Sequence, residues 1–402
     1  MKPLKFIFFM MFVACFCMQA TADPAPRGPF AFALNMYSLK NTKARINRSD
    51  PNILPAYKQL LKDADKALQY GPVSVMEKKN NPPSGNKHDY MSLAPYHWPD
   101  PAKADGLPYI RKDGQTNPEV QEYKDKEYMP KLCDAVHTLA LAWYFSDDPS
   151  YAGHAATLLR VWFLDTATRM NPNLNFAQAI KGVNTGRGAG LIDSRHFIKV
   201  VDAIGLLQGS NYWKPRDQQG MQQWFSEFLH WMQTSPIGKD EMDAPNNHGA
   251  WYDAQRLSLA LFIDSMQLAK KIVQNAMTRL DKQMDDAGRF PREMERTTSF
   301  HYTVFVLDAF FTIAQMAEET NIDLWNYTSP SGKSLKKGFE QILPYLLQEK
   351  QWDGQQIKDF NYDESFLMLK EGAARYACKK CEAGIKSIAA DKAQRLRIQL
   401  LY

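Results

Sequence analysis

Apolar residues along the chain recur at three- and four-residue intervals, the spacing that gives a helix one buried stripe. Leu54, Tyr57, Leu61, Ala64 and Leu68 form one such stripe, and Leu132, Val136, Leu139 and Trp143 form another. Phe197, Val200, Val201, Ile204 and Leu207 repeat it, as do Trp224, Phe225, Phe228, Leu229 and Met232. Leu257, Leu261 and Met266 continue the series, followed by Phe305, Leu307, Phe310 and Phe311. Alternating runs bounded by turns are scarce. The pattern predicts about ten to twelve helices, no convincing sheet, and an all-α fold of successive helical hairpins.

Two stretches break the period. Residues 71–118 are dense in Pro, Gly, Asn and Asp but keep the aromatics Tyr90, Tyr96, Trp98 and Tyr109, which suits an ordered, packed loop and a candidate lid. Residues 170–193 carry Gly182, Gly186, Gly188 and Gly190. The run Gly-Arg-Gly-Ala-Gly lacks the dinucleotide-binding spacing and no strand precedes it, so it reads as a bend between helices. No linker or internal repeat divides the helical part. A length of 402 residues would allow two or three domains at about 150 residues each, but residues 23–402 read as one domain.

Residues 1–22 read as an export address. Lys2 and Lys5 precede an apolar run from Phe6 to Met18, and Ala20-Thr21-Ala22 offers small residues for cleavage after Ala22. The run is too short for a bilayer core of about 30 Å, and no later stretch approaches the required length, so stable membrane insertion is not expected. A lipid anchor at Cys15 is the weaker alternative; the expected location is periplasmic or secreted. Loss of the address removes Lys2 and Lys5 from 49 basic residues against 44 acidic ones, leaving a net charge of +3. So mild an excess does not argue for a nucleic-acid partner.

The mature chain keeps Cys133, Cys378 and Cys381. Cys378-Lys379-Lys380-Cys381 has redox-motif spacing without a preceding βαβ pattern, so a local structural disulfide or two inert thiols is expected. Aromatics are 12% of the chain, available for core filling or for stacking on ring-shaped ligands.

Common hydrolase and metalloenzyme motifs are missing. His137, His154, His196 and His230 read as satisfied core or surface groups. His248 differs, because Asn246-Asn247-His248 follows the turn Asp243-Ala244-Pro245 and opens a helix, where side chains and free backbone donors can point into a cavity. A second cluster, Arg292 to Tyr302, sets two Arg ahead of a capping Thr or Ser and places His301-Tyr302 in the first helical turn. Guanidinium offers a fork for a carboxylate, and a nearby positive charge favours the phenolate of Tyr302. An Asn cap with an incidental His, or a surface salt-bridge network, would explain each cluster alone. Together they supply what elimination across a uronic acid needs. Asn and Arg neutralise the carboxylate, His or Tyr removes the C5 proton, and Tyr protonates the leaving oxygen at C4. That chemistry calls for no metal and no cofactor.

Asn247-His248, Pro291-x-Glu293-Met294-x-Arg296 and His301-Tyr302, together with the loop motif from Asp89 to Pro99, resemble the alginate lyase family of helical-toroid polysaccharide lyases. The resemblance spans roughly residues 85 to 310. It implies an (α/α) toroid of six or seven helical pairs, not necessarily complete, with a cleft for an anionic polysaccharide. Asn247 and Arg296 would be neutralisers, Tyr302 the acid, and His248 or Tyr302 the base. One Tyr could serve both steps on mannuronate, whereas guluronate would need His248 opposite Tyr302. Arg296 and Tyr302 stand one residue closer than in better-known members, so Arg292 could share the role of Arg296. Lys87, His88, Tyr96, Trp98, Gln178, Arg292 and His301 are candidate substrate-binding residues, and Arg187 and Arg195 carry less weight. The resulting expectation is a monomeric lyase for mannuronate-rich alginate. Alternatives are a lyase for another uronan such as glucuronan, an inverting hydrolase using Asp253 and Glu293, and a non-catalytic sugar-binding toroid.

Overall fold

The computed structural model describes residues 28–402. The export address, its cleavage after Ala22 and the anchor alternative at Cys15 lie outside the described residues. The helices in chain order are α1 (Met36–Asn47), α2 (Leu54–Ala67), α3 (Asp125–Ser146), α4 (Pro149–Leu159), α5 (Phe197–Leu206), α6 (Pro215–Thr234) and α7 (Pro236–Met242). They continue as α8 (Asn247–Phe262), α9 (Met266–Gln283), α10 (Pro291–Met294), α11 (Ser299–Ala317), α12 (Leu335–Leu346), α13 (Phe366–Tyr376) and α14 (Lys379–Ala389). Fourteen exceeds the expected ten to twelve partly because α7 and α10 are too short to show a stripe. Side-chain caps start many of them: Asp148, Ser235, Asn246 and Ser334 each accept a hydrogen bond from the first turn of α4, α7, α8 and α12.

Burial separates the helices into two layers. In α8 and α11 nearly every residue is buried, and α3 is enclosed from Ala135 to Phe145 while its first turns keep Lys131 and Asp134 in solvent. α3 packs on α5, α5 on α8, α8 on α11 and α11 on α13; α4, α6, α9 and α12 lie against this wall. The arrangement is an all-α helical toroid, and five wall helices make it the incomplete form of the expected six or seven pairs. The last turn packs on the first described helices. A 3-10 turn at Arg397–Leu400 touches α1, α2 and α13, with Leu400 fully buried and Arg397 donating to the Thr138 hydroxyl at 2.9 Å.

The two interrupting stretches contain short ladders instead of coil alone. β1 (Met91–Leu93) pairs in parallel with β4 (Phe176–Ala179), and β2 (His97–Trp98) pairs antiparallel with β3 (Ile110–Arg111). Strands of two to four residues are too short to leave an alternating pattern. Two stripes also shift. The buried line of α2 is Ala56, Leu60 and Ala64, with Tyr57, Leu61 and Leu68 packed half-buried beside it. Met266 is 40% exposed at the start of α9 and does not extend the α8 stripe. Ser299–Thr320 is long and apolar enough to cross a membrane, contrary to the expectation that no later stretch is, but most of its apolar window is buried by its neighbours. An inner-wall helix is apolar all round because every side has a protein partner.

Much of the aromatic content fills this body. Phe163, Phe197, Trp224, Phe225 and Phe228 meet largely edge to face with centroids 4.9 to 5.9 Å apart. Cys378 and Cys381 form a local disulfide, and Cys133 is a fully buried free thiol. Because fully buried Leu400 anchors the last turn against α1, α2 and α13, Leu400→Ala is expected to cost about 2–4 kcal/mol of unfolding free energy, measured by urea denaturation. A loss below about 0.5 kcal/mol, the range of an ordinary surface substitution, would mean that Leu400 does not anchor the terminal turn.

Candidate active site

The turn before α8 is held from behind. Arg279 donates to the carbonyls of Met242 (2.8 Å) and Ala244 (2.9 Å), while its Nε binds buried Asp253 at 2.7 Å. This clamp brings Asn247 and His248 to the wall of a cleft of about 780 Å³. Glu293 fixes Asn247 twice, accepting from its backbone N–H at 2.6 Å and its Nδ2 at 2.8 Å. Burial raises the pKa of Glu293, against the pull of Asn247, Arg296 and His248. His248 is set by Glu241, whose buried carboxylate lies 2.7 Å from Nδ1. A carboxylate at Nδ1 favours the tautomer protonated there, which leaves Nε2 with its lone pair.

The second cluster is organised by a residue 183 positions away. Asp113 accepts from Nε and Nη2 of Arg296 at 3.1 and 2.7 Å and from the backbone and hydroxyl of Thr297, both at 3.1 Å. Burial opposes ionisation of Asp113, yet these donors and Arg111 hold its pKa well below the usual carboxylate value. Pinned this way, the Arg296 guanidinium lies 3.6 Å from the centroid of the Tyr302 ring. Tyr302 donates to the Tyr96 hydroxyl at 3.0 Å. Its pKa is nevertheless raised, because burial and Tyr96 outweigh Arg296. Arg296 does favour the phenolate as expected, but its pull is outweighed, and in the resting protein Tyr302 holds its proton. Thr298 occupies the cap position of α11 without a capping side-chain bond; residues 355–357 pair with this end instead, through Ser299 to Gln355 at 2.9 Å and Ile357 to Thr297 at 2.9 Å.

Asn247, His248, Arg296, Tyr302, Tyr96, Gln178 and His301 all line the one cleft. Four candidates do not. Lys87 and His88 sit elsewhere in the long loop, where the Lys87 carbonyl accepts from Lys78 and the His88 ring meets the Arg169 carbonyl at 2.5 Å. Trp98 turns its indole N–H to the Gln115 carbonyl at 2.9 Å with Lys112 over its ring. Arg292 is 63% exposed and pairs with Glu295 at 3.4 Å, which leaves Arg296 as the arginine of that cluster in the cleft. Gln178 is no free surface amide: it is buried, with Nε2 on Asp193 and Oε1 accepting from Arg187. His301 stands 40% exposed against Glu364 at 3.0 Å. Asp253 and Glu293 are each 1% exposed, committed to Arg279 and Asn247 and absent from the cleft wall, so this pair cannot serve the inverting-hydrolase alternative.

Residues passed over in the sequence also line the cleft, among them His97, Arg111, Lys126, Asp240, Glu241 and Glu364, with Arg187 and Arg195. His97 has a buried Nδ1 with no hydrogen-bond partner, and burial with Arg187 and Arg111 nearby lowers its pKa. Among the described residues no group of three His, Cys, Asp or Glu side chains is placed to hold a metal ion.

Comparison with known proteins agrees with this geometry. The family model for alginate lyase matches residues 74–352, most of the chain. The chain belongs to the alginate lyase family. It is accordingly a polysaccharide lyase. A crystal structure of an alginate lyase from Bacteroides ovatus is 39% identical, with a TM-score of 0.88 over 93% of this chain and 99% of that one. A variant of alginate lyase A1-III complexed with a tetrasaccharide shares the fold at 16% identity and a TM-score of 0.56, over 89% and 92% of the two chains. Alginate lyase A1-III from Sphingomonas species A1 shares it at 15% identity and a TM-score of 0.50, over 85% and 94%. No curated protein sequence matches the chain.

Asp113 joins the long loop to this family's Arg–Tyr cluster, and its depressed pKa has a signed consequence. Its stabilising effect is present above the unfolded carboxyl's pKa and is lost as pH falls toward the folded value. Asp113→Asn is expected to be less stable at neutral pH and to lose less stability than the parent between about pH 4 and pH 2. Parallel pH slopes in thermal unfolding would rule out the pairing as a source of stability.

Proposed function

We propose that the protein cleaves alginate, with a preference for mannuronate-rich chains, by β-elimination at C5 and C4 of a uronate residue to leave unsaturated oligosaccharides. The observation that carries this reading is the stack of Arg296 on Tyr302, with the phenol bonded to Tyr96, in the cleft that also holds Asn247 and His248. Asn247, braced by Glu293, has a second Nδ2 proton for the uronate carboxylate, and Arg296 keeps Nη1 after Asp113 takes Nε and Nη2. Withdrawing charge from that carboxylate acidifies the C5 hydrogen.

In mannuronate the C5 hydrogen and the C4 oxygen share a face, and Tyr302 serves both steps. Its proton passes through the Tyr96 hydroxyl to water in the cleft, and the cation on its ring stabilises the phenolate that results, the form in which Tyr302 starts and ends each elimination. The C5 proton then returns from Tyr302 to the leaving oxygen. In guluronate the two lie on opposite faces, and Nε2 of His248, backed by Glu241, is the base while protonated Tyr302 is the acid. The chemistry would also suit glucuronan, with subsites deciding between the polymers. An exported enzyme fits the reading, and the Cys378–Cys381 disulfide is consistent with an oxidising compartment.

Incubation with mannuronate-rich alginate should raise ultraviolet absorbance as the double bond conjugates to the carboxylate. Reducing ends appearing without that absorbance would indicate hydrolysis, and no change on any polyuronate would refute lyase action. Tyr302→Phe should lower kcat by at least about 100-fold, within the range for a proton-transfer group, while a catalytically silent binding measurement shows oligosaccharide affinity largely kept. Retained turnover would remove Tyr302 from the mechanism.

A further inference from the structure

The run Gly186-Arg187-Gly188-Ala189-Gly190 does more than bend the chain. A Cβ on Gly186 would lie 2.0 Å from the Asn175 carbonyl oxygen, and one on Gly190 would lie 2.6 Å from Ala177. The glycines let this backbone press against β4 and its approach, so the arginine between them is seated on a fixed support. Arg187 donates its backbone N–H to the Ala177 carbonyl at 3.2 Å and its Nη2 to Gln178 Oε1 at 2.9 Å.

Gln178 is itself tightly held. Its Nε2 donates to Asp193 at 3.0 Å, its backbone N–H to Ser92 Oγ at 2.8 Å, and its φ of +49° lies in the left-handed region. A non-glycine residue there costs energy that its surroundings must offset, a pattern found at functional sites. Asp193 is fully enclosed and also accepts from Tyr90 at 3.0 Å, from Ser92 at 2.8 Å and from Lys126. A buried relay from Asp193 through Gln178 therefore ends on a guanidinium in the cleft wall.

That guanidinium is unlike its neighbours. Arg296 and Arg111 share Asp113, and Lys126 pairs with Asp193. Arg187 forms no ion pair among the described residues, and its Nε is buried without a hydrogen-bond acceptor. A guanidinium with an unpaired donor and no ion pair is costly to hold, and because Arg187 lines the cleft, a carboxylate bound there would pair with the part of the guanidinium that faces it. Arg195, also without an ion pair among the described residues, instead donates to the Ile192 carbonyl at 3.0 Å and packs its guanidinium on the Phe305 ring.

We propose that Arg187, held by Gln178 and Asp193, is a specificity-determining residue that binds the carboxylate of a uronate adjoining the one that loses its C5 proton. This rests on the polyuronate-lyase reading: Arg296 serves the reacting unit, and Arg187 makes a charged neighbour part of what the cleft recognises.

Binding of a mannuronate tetramer is measured by calorimetry in the Tyr302→Phe background, with and without Arg187→Gln. The added change should weaken binding about 10- to 100-fold, the span expected for a charge-assisted contact. A carboxyl-reduced tetramer should bind both proteins alike. In the otherwise native enzyme the loss should fall on KM. A change in affinity below twofold, equal weakening toward the reduced tetramer, or a fall in kcat at unchanged KM would each overturn the proposal. Should Arg187→Gln fail to fold, Arg187→Lys keeps a cation but loses the fork, and should still weaken tetramer binding about 3- to 10-fold; unchanged affinity would count against it. If the native enzyme yields no unsaturated product from any polyuronate, the lyase reading fails, while the tetramer comparison still reports on Arg187 as an anion site.

Discussion

A carboxylate removed from water must find donors, and in this protein that requirement positions the reactive groups. Glu293 takes both donors of Asn247, Glu241 takes the Nδ1 side of His248, and Asp253 holds the arginine that clamps the turn before both. Asp193 gathers donors from the long loop, from α3 and from β4. Removing any one of these acids would strand its donors in a poorly solvated site. Glu293, Asp253 and Asp193 therefore act from behind the cleft surface and Glu241 from within its wall, and the groups in front owe them their orientation.

The same constraint explains why the long loop belongs to the cleft. Helices α3, α5, α8, α11 and α13 bury their surfaces on one another, which makes a rigid wall but leaves few polar groups for chemistry. Tyr96, His97 and Arg111 come from the loop, and Asp113 on that loop locks it to the start of α11. A segment tied down by a partly buried ion pair and by the Tyr96–Tyr302 bond has less freedom than its Pro- and Gly-rich composition suggests. As a cover for the cleft it would have to pivot around those contacts.

What the sequence revealed divides along the same line. Helical periodicity found the wall because helix contacts are local in sequence, although it misplaced the buried line of α2, where Leu60 and Leu61 are equally apolar neighbours. Asn247-His248 and His301-Tyr302 were legible because each pair opens a helix after a turn. Their partners were not. Asp113 lies 183 residues from Arg296 and Tyr96 lies 206 from Tyr302, separations that no spacing rule spans. Lys87 and His88 were attractive as cationic loop residues, yet composition cannot say which side of a loop faces a cleft. The glycines around Arg187 were the one visible sign of its importance, since three close backbone approaches in five residues imply that something is being held in place.

For a polyanionic substrate, the balance of charge inside the cleft matters more than the overall excess of +5. Arg296 and Arg111 share one carboxylate, so that cluster keeps one positive charge, and Arg187, which forms no ion pair among the described residues, adds another beside the acids Asp240, Glu241, Asp243 and Glu364 of the same wall. Fields in a low-dielectric cleft are screened less than those at an open surface, which makes these few charges count for more than the many outside. Compensating Arg296 has a chemical advantage as well. A guanidinium fully free to pair with the substrate would bind the ground-state carboxylate strongly, whereas one already engaged by Asp113 can strengthen its hold as charge builds on that carboxylate during proton removal, which favours rate over mere affinity.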